Sequence, residues 1–224
     1  MAKLLITFLT FILFANTSIA QKSGIPKIEK VYLDQTDSSK NCYTVIYPPK
    51  LPWRGYIFLL PGFGETAERV MQQTDLPTKL ASNGILTIIP TFQDGVLSFG
   101  VDSLTQQSFN RILKDVRAKH PLSDLRFYVG GYSIGGSCTL KYAENAPTKP
   151  TAIFAIDPPL DFERVYNSAK RDIRLSKESE PNPENIYIIE RLEKETGGSP
   201  ADYLSEYYKF SPYSFSDTTQ TAIK

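Results

Sequence analysis

The chain has 224 residues, 41% hydrophobic and 12% aromatic, with 25 basic side chains against 24 acidic ones. That is enough apolar material for one well-cored domain, and the near-zero net charge gives no reason to expect nucleic acid or an anionic membrane as a partner. The sequence contains two cysteines and a single histidine, without metal-ligand spacing, which argues against a zinc site.

Residues 1–20 read as a cleavable export signal. Lys3 supplies the charged start, Leu4 to Phe14 is an unbroken run of apolar residues and threonine, and Ser18-Ile19-Ala20 is a small-x-small cleavage site. The run is shorter than the roughly 20 residues that a membrane span requires; a buried N-terminal helix is the blander alternative. Gln21 is not a cysteine, so nothing suggests lipidation. Export permits a disulfide between Cys42 and Cys138, although small buried core thiols are the simpler reading.

Ile28–Leu33 and Cys42–Tyr47 are expected strands joined by a polar turn, after which Pro48, Pro49 and Pro52 break the pattern. Tyr56–Leu60 is continuously apolar, as befits a parallel strand buried on both faces. It ends in Pro61-Gly62-Phe63-Gly64-Glu65, which feeds a helical stretch reaching Asn83-Gly84. Ile85–Ile89 is the next buried strand, closed by Pro90. A helix over roughly Ser103 to Lys119 carries Phe109, Ile112, Leu113 and Val116 at helical spacing. His120-Pro121 stops it, because a residue before proline is steered out of helix. Arg126–Val129 and Ala152–Ile156 are further strands. Strands alternating with helices specify an α/β fold with a mostly parallel sheet.

From Asp161 to about Tyr213 the chain turns to charged helices. Asn182 caps one that opens on Pro183 and stops at Gly197-Gly198, and Ser199-Pro200-Ala201-Asp202 is a capping box for the next. This region reads as a helical lid. Its aromatic residues, Tyr187, Tyr203, Tyr207, Tyr208, Tyr213 and Phe215, either line a pocket or pack lid on sheet. Its bases, Arg164, Lys170, Arg171 and Arg174, read as a solvated face.

The chemistry concentrates at Gly131-Tyr132-Ser133-Ile134-Gly135. A serine flanked by glycines at −2 and +2, between a strand and a helix, has the pattern of a nucleophile elbow. Glycines there could also serve tight packing alone. Together with Tyr56–Glu65 and the strand-then-lid order, the pentapeptide resembles the α/β-hydrolase family, of the esterase or lipase type, from about Ile28 to the chain end.

The resemblance implies a mostly parallel sheet with helices on both faces and a lid after the sixth strand, the last two of the family's eight strands being missing. It divides the chain into a core over 21–160, a lid over 161–213 and the start of a truncated core segment over 214–224. It implies a hydrolase of small-molecule esters or other acyl compounds with no cofactor, and the segment 1–20 adds the expectation of export with no membrane anchor after signal cleavage. Ser133 is then the nucleophile, and the backbone amides of Phe63 and Ile134 form the oxyanion hole. The loop begins Pro61-Gly62 where many relatives have His-Gly, a departure that leaves the amides available. Asp157 stands where some relatives place the triad acid; capping of a turn, as for Asp161, is its structural alternative.

The triad also needs a histidine. His120 precedes the serine and falls at the end of the sheet away from it, which rules it out as the base. Two readings follow: a polypeptide cut short before its histidine, which makes these 224 residues inactive as they stand, or a non-catalytic binding protein of the same fold. The unprotected sheet edge after a sixth strand favours the first.

Overall fold

Period-two alternation in the strands sorts the core into two layers. Tyr56, Phe58 and Leu60 share one apolar cluster with Phe109, Ile112, Val116 and Tyr142, while Leu59 joins a second with Ala67, Val70 and Ala81. Helices must therefore cover both faces, and they do. The computed structural model describes residues 25–34, 36–176 and 182–215. Among the described residues, six strands carry the sheet: β1 (Ile28–Tyr32), β2 (Cys42–Ile46), β3 (Gly55–Leu60), β4 (Ile85–Thr91), β5 (Arg126–Tyr132) and β6 (Ala152–Ile156). Their order is β1-β2-β4-β3-β5-β6. Only β2 runs against the rest, since it is antiparallel to both neighbours while β4, β3, β5 and β6 pair in parallel.

Helices α1 (Ala67–Gln73) and α2 (Leu76–Ser82) lie on one face, α3 (Ser103–Lys119) and α4 (Ile134–Asn145) on the other. After β6 come α5 (Phe162–Leu175), α6 (Pro183–Thr196) and α7 (Pro200–Phe210). These three pack on one another through Phe162, Tyr166, Leu192 and Tyr207, and onto Phe99, Val101 and Ile134. The expected lid is thus present as a helical layer over the loops that leave the carboxyl ends of the strands. Tyr187 and Tyr207 join its interior, whereas Tyr203 and Phe215 remain exposed. The four bases on α5 are exposed as well. The expected export signal at 1–20, and residues 216–224 of the expected C-terminal core segment, lie outside the described residues.

Several boundaries differ from the sequence reading. Strand β4 continues through Pro90 to Thr91. The β3–β4 ladder ends at Phe58↔Ile88, so beyond it β4 is paired on one side only, where a residue without an N–H is tolerated. Strand β5 runs past Val129 through two glycines. A side chain at Gly130 would collide with the Phe154 ring, whose Cε1 lies 2.1 Å from where its β-carbon would be. The single helix expected before Asn83 is two, parted at Thr74-Asp75, with Pro77 opening the second. Ser199 is the N-cap of α7, but its hydroxyl goes to the Asp202 carboxylate at 3.2 Å and caps no backbone amide.

Candidate active site

The sharpest local feature of the molecule is the backbone at Ser133, with φ 48° and ψ −123°. Non-glycine residues avoid this region at a cost of roughly 1–3 kcal/mol, so surrounding structure must impose it. Two close approaches do so. A β-carbon at Gly131 would sit 2.2 Å from the Gly135 carbonyl oxygen, and one at Gly135 would sit 2.3 Å from that of Leu60. Only glycine lets α4 begin this close to the ends of β3 and β5. The turn is tied to its neighbour strand by the Ser133 amide, which donates to Ile156 O at 2.9 Å.

Ser133 itself is exposed while Gly131, Ile134, Gly135 and Gly136 are buried. No hydrogen-bond partner for its hydroxyl occurs among the described residues, and the side chain does not cap α4. The Ser133 carbonyl accepts the amides of Gly136 and Ser137, and the Ile134 N–H, a first-turn amide of α4, has no acceptor among the described residues. The Phe63 N–H is open in the same sense. Its loop is pressed against the elbow: a β-carbon at Gly62 would lie 3.7 Å from Ser133 Cβ. Two unpaired donors beside an exposed hydroxyl are what oxyanion stabilisation requires.

The Phe63 ring reaches into the lid. It stacks on Phe99 with centroids 6.0 Å apart and meets Tyr187 of α6 at 5.3 Å. Tyr187 also donates its hydroxyl to Leu97 O at 3.2 Å. Beside this aromatic wall, Arg191 of α6 bonds Asp94 at 2.6 Å and Glu195 at 2.9 Å, with Asp102 3.9 Å away. The β4–α3 loop that carries Phe99 is therefore fastened to the lid by charge as well as by rings.

Of the residues singled out from sequence, Ser133, Phe63 and Ile134 come together. Asp157 is at the same edge, one residue beyond the carbonyl that accepts the Ser133 amide. It is exposed, has φ 51° and caps nothing; the cap of α5 is Asp161, which accepts from Arg164 N at 3.2 Å. His120 is not at this edge. It is the C-cap of α3, edge-on to Tyr47 at 5.6 Å and Trp53 at 5.7 Å, near the amino ends of β3 and β5. Burial pulls its pKa below the ordinary value of 6.5.

Cys138 lies fully buried under Gly100, and burial pushes its thiol far above the usual range; both cysteines are free. A cavity of about 30 Å³ separates the Gly62 loop from the β4–α3 loop, room for roughly one or two waters. Two larger hollows, of about 420 and 520 Å³, flank the lid and do not include Ser133. Among the described residues, no group of three His, Cys, Asp or Glu could hold a metal ion.

Two residues that the sequence reading passed over shape this site: Glu65, whose carboxylate accepts the Gly62 amide, and Arg191. The signal for Glu65 was its place three residues after a loop glycine, within reach of that glycine's amide. Arg191 gave none beyond Glu195 one turn later, since Asp94 is 97 residues away in sequence.

No family model matches the sequence, and no curated protein matches it. Solved structures do. The fluorophosphonate-binding serine hydrolase F of Staphylococcus aureus superposes with a TM-score of 0.53 at 15% identity, covering 77% of this chain and 75% of that one. An S-formylglutathione hydrolase from Agrobacterium tumefaciens gives 0.51 at 16% identity, covering 62% of this chain and 59% of that one. At these identities the likeness is one of fold.

Proposed function

We propose that this chain, which has the α/β-hydrolase fold, is an exported serine hydrolase acting on small carboxylic esters through an acyl-enzyme on Ser133. The observation that carries this reading is the left-handed Ser133, exposed between two open backbone donors, Phe63 and Ile134. Ser133 Oγ attacks the acyl carbon while a base removes its proton, and the two amides hold the oxygen that gains the negative charge. The alcohol leaves with a proton; water then attacks the acyl carbon, the bond to Ser133 Oγ breaks, the carboxylic acid departs and a proton returns to the serine oxygen. Asp157 is the carboxylate proposed to orient the base. No cofactor enters these steps.

The base itself is a histidine in this reading, and His120 is too remote to serve. Without a nearer proton acceptor, acylation of Ser133 is therefore slow. The distant His120 favours a second reading, a non-catalytic binding protein that keeps the fold. Incubation with a fluorophosphonate, and with p-nitrophenyl acetate, separates the two. Labelling and ester cleavage that vanish in Ser133→Ala support the hydrolase. Equal signals in both proteins, or none in either, favour the binding protein. Amino-terminal sequencing of the exported product tests the signal: a start at Gln21 supports it, and a retained Met1 overturns it.

A further inference from the structure

Four consecutive amides, Gly62 to Glu65, line the turn between β3 and α1. Three have acceptors. Gly62 N donates to the Glu65 carboxylate at 2.9 Å, Gly64 N to Val96 O at 2.9 Å and Glu65 N to Gly62 O at 3.2 Å. The Phe63 amide alone has no acceptor among the described residues. The open amide is bracketed by bonds that all fix its surroundings.

Glu65 grips Gly62 at both ends. Its carboxylate accepts the Gly62 N–H, and its own N–H donates to the Gly62 carbonyl. That carbonyl shares a peptide plane with the Phe63 N–H, and in a trans peptide the two point in opposite directions. Holding the Gly62 oxygen toward the Glu65 N–H therefore aims the Phe63 N–H the other way, and the Glu65 carboxylate on the Gly62 N–H fixes the preceding peptide, so that both planes flanking Gly62 are held. On the far side the Phe63 ring is held by Phe99 and Tyr187. The helix that follows does not need the Glu65 side chain, because Thr66 is its N-cap and accepts from Arg69 N.

Resting on the serine-hydrolase reading above, we propose that Glu65 is a positioning residue whose bonds to Gly62 orient the Phe63 amide as an oxyanion donor beside Ser133. A carboxylate is a costly choice for this task in one respect, because its charge opposes the oxyanion. What the brace needs is the oxygen acceptor, and a carboxamide supplies that without the charge. The proposal thus separates shape from charge.

The test uses the full chain with ¹⁵N-phenylalanine, the Phe63 amide resonance being assigned through Phe63→Leu, alongside the rate of Ser133-dependent fluorophosphonate labelling. Glu65→Ala is expected to displace the Phe63 resonance and slow labelling about 100-fold, the scale of loss from a displaced group near the reacting atoms. Glu65→Gln is expected to leave the resonance in place and label at least as fast as the parent. An unmoved Phe63 resonance in Glu65→Ala overturns the proposal. So does Glu65→Gln labelling as slowly as Glu65→Ala, which assigns the carboxylate a charge or base role instead. Should Glu65→Ala melt early, Glu65→Gln decides alone: a displaced Phe63 resonance there contradicts the brace. A parent protein without Ser133-dependent labelling refutes the underlying hydrolase reading, and the resonances still judge the brace.

Discussion

At the carboxyl ends of β5 and β6, Ser133 stands exposed on a left-handed backbone, its hydroxyl without a partner among the described residues. At the amino ends of the sheet, His120 sits on extended backbone, φ −134°, boxed between Tyr47 and Trp53. Both residues have reactive side chains, yet the fold treats them in opposite ways. Strain and an unsatisfied group are retained where a small molecule could approach. Where a ring merely closes a helix end, the fold supplies neighbours and no strain. Composition alone would have ranked the single histidine first; backbone geometry ranks the serine first.

The lid marks the serine end, so the first way to break the comparison is to unfasten it. Arg191 is largely buried among Asp94, Glu195 and Asp102. Arg191→Met leaves those carboxylates without their counter-charge and is expected to cost about 3 kcal/mol, read by urea unfolding. A loss below about 1 kcal/mol would show the lid held by its aromatic contacts alone.

A smaller effect tests the strain itself. Glycine accepts positive φ and alanine does not, so Ser133→Gly should be more stable than Ser133→Ala by about 1 kcal/mol. At His120 the order reverses, with His120→Ala more stable than His120→Gly by roughly 0.5–1 kcal/mol, because the backbone there is ordinary. The same order at both sites in thermal melts would remove the contrast.

The smallest effect concerns protons. The folded state lowers the His120 pKa from 6.5, chiefly by burial. The unfolded chain then binds a proton more readily, so this residue's contribution is intact above pH 6.5 and is lost as pH falls toward the lower folded value. His120→Phe is expected to flatten that part of the stability profile while leaving fluorophosphonate labelling of Ser133 unchanged. A profile that keeps its full slope contradicts the burial argument; altered labelling contradicts His120's place at the remote end.

The elbow was legible because its sterics are local. Gly131 and Gly135 record in five residues the close approach of a helix to two strands. The lid was legible for a similar reason, through Asn182 and Gly197 at the ends of α6. Pro90 misled because its tolerance in β4 depends on where the β3 ladder stops, which is a property of the register between strands. The length of β5 was hidden by two glycines, Gly130, whose reason is the Phe154 ring on β6, and Gly131, whose reason is the Gly135 carbonyl on α4. Arg191 was hidden because its strongest partner lies 97 residues away, and an isolated arginine in a charged helix reads as solvated. Glu65 looked like one more loop acid until the Gly62 amide was seen to be its partner.

The most direct measurement is peptide mapping by mass spectrometry after fluorophosphonate treatment of the full chain. The account predicts one phosphonylated peptide, carrying the adduct on Ser133, and no adduct in Ser133→Ala. A stable adduct on any other serine or tyrosine, with Ser133 unmodified, contradicts it.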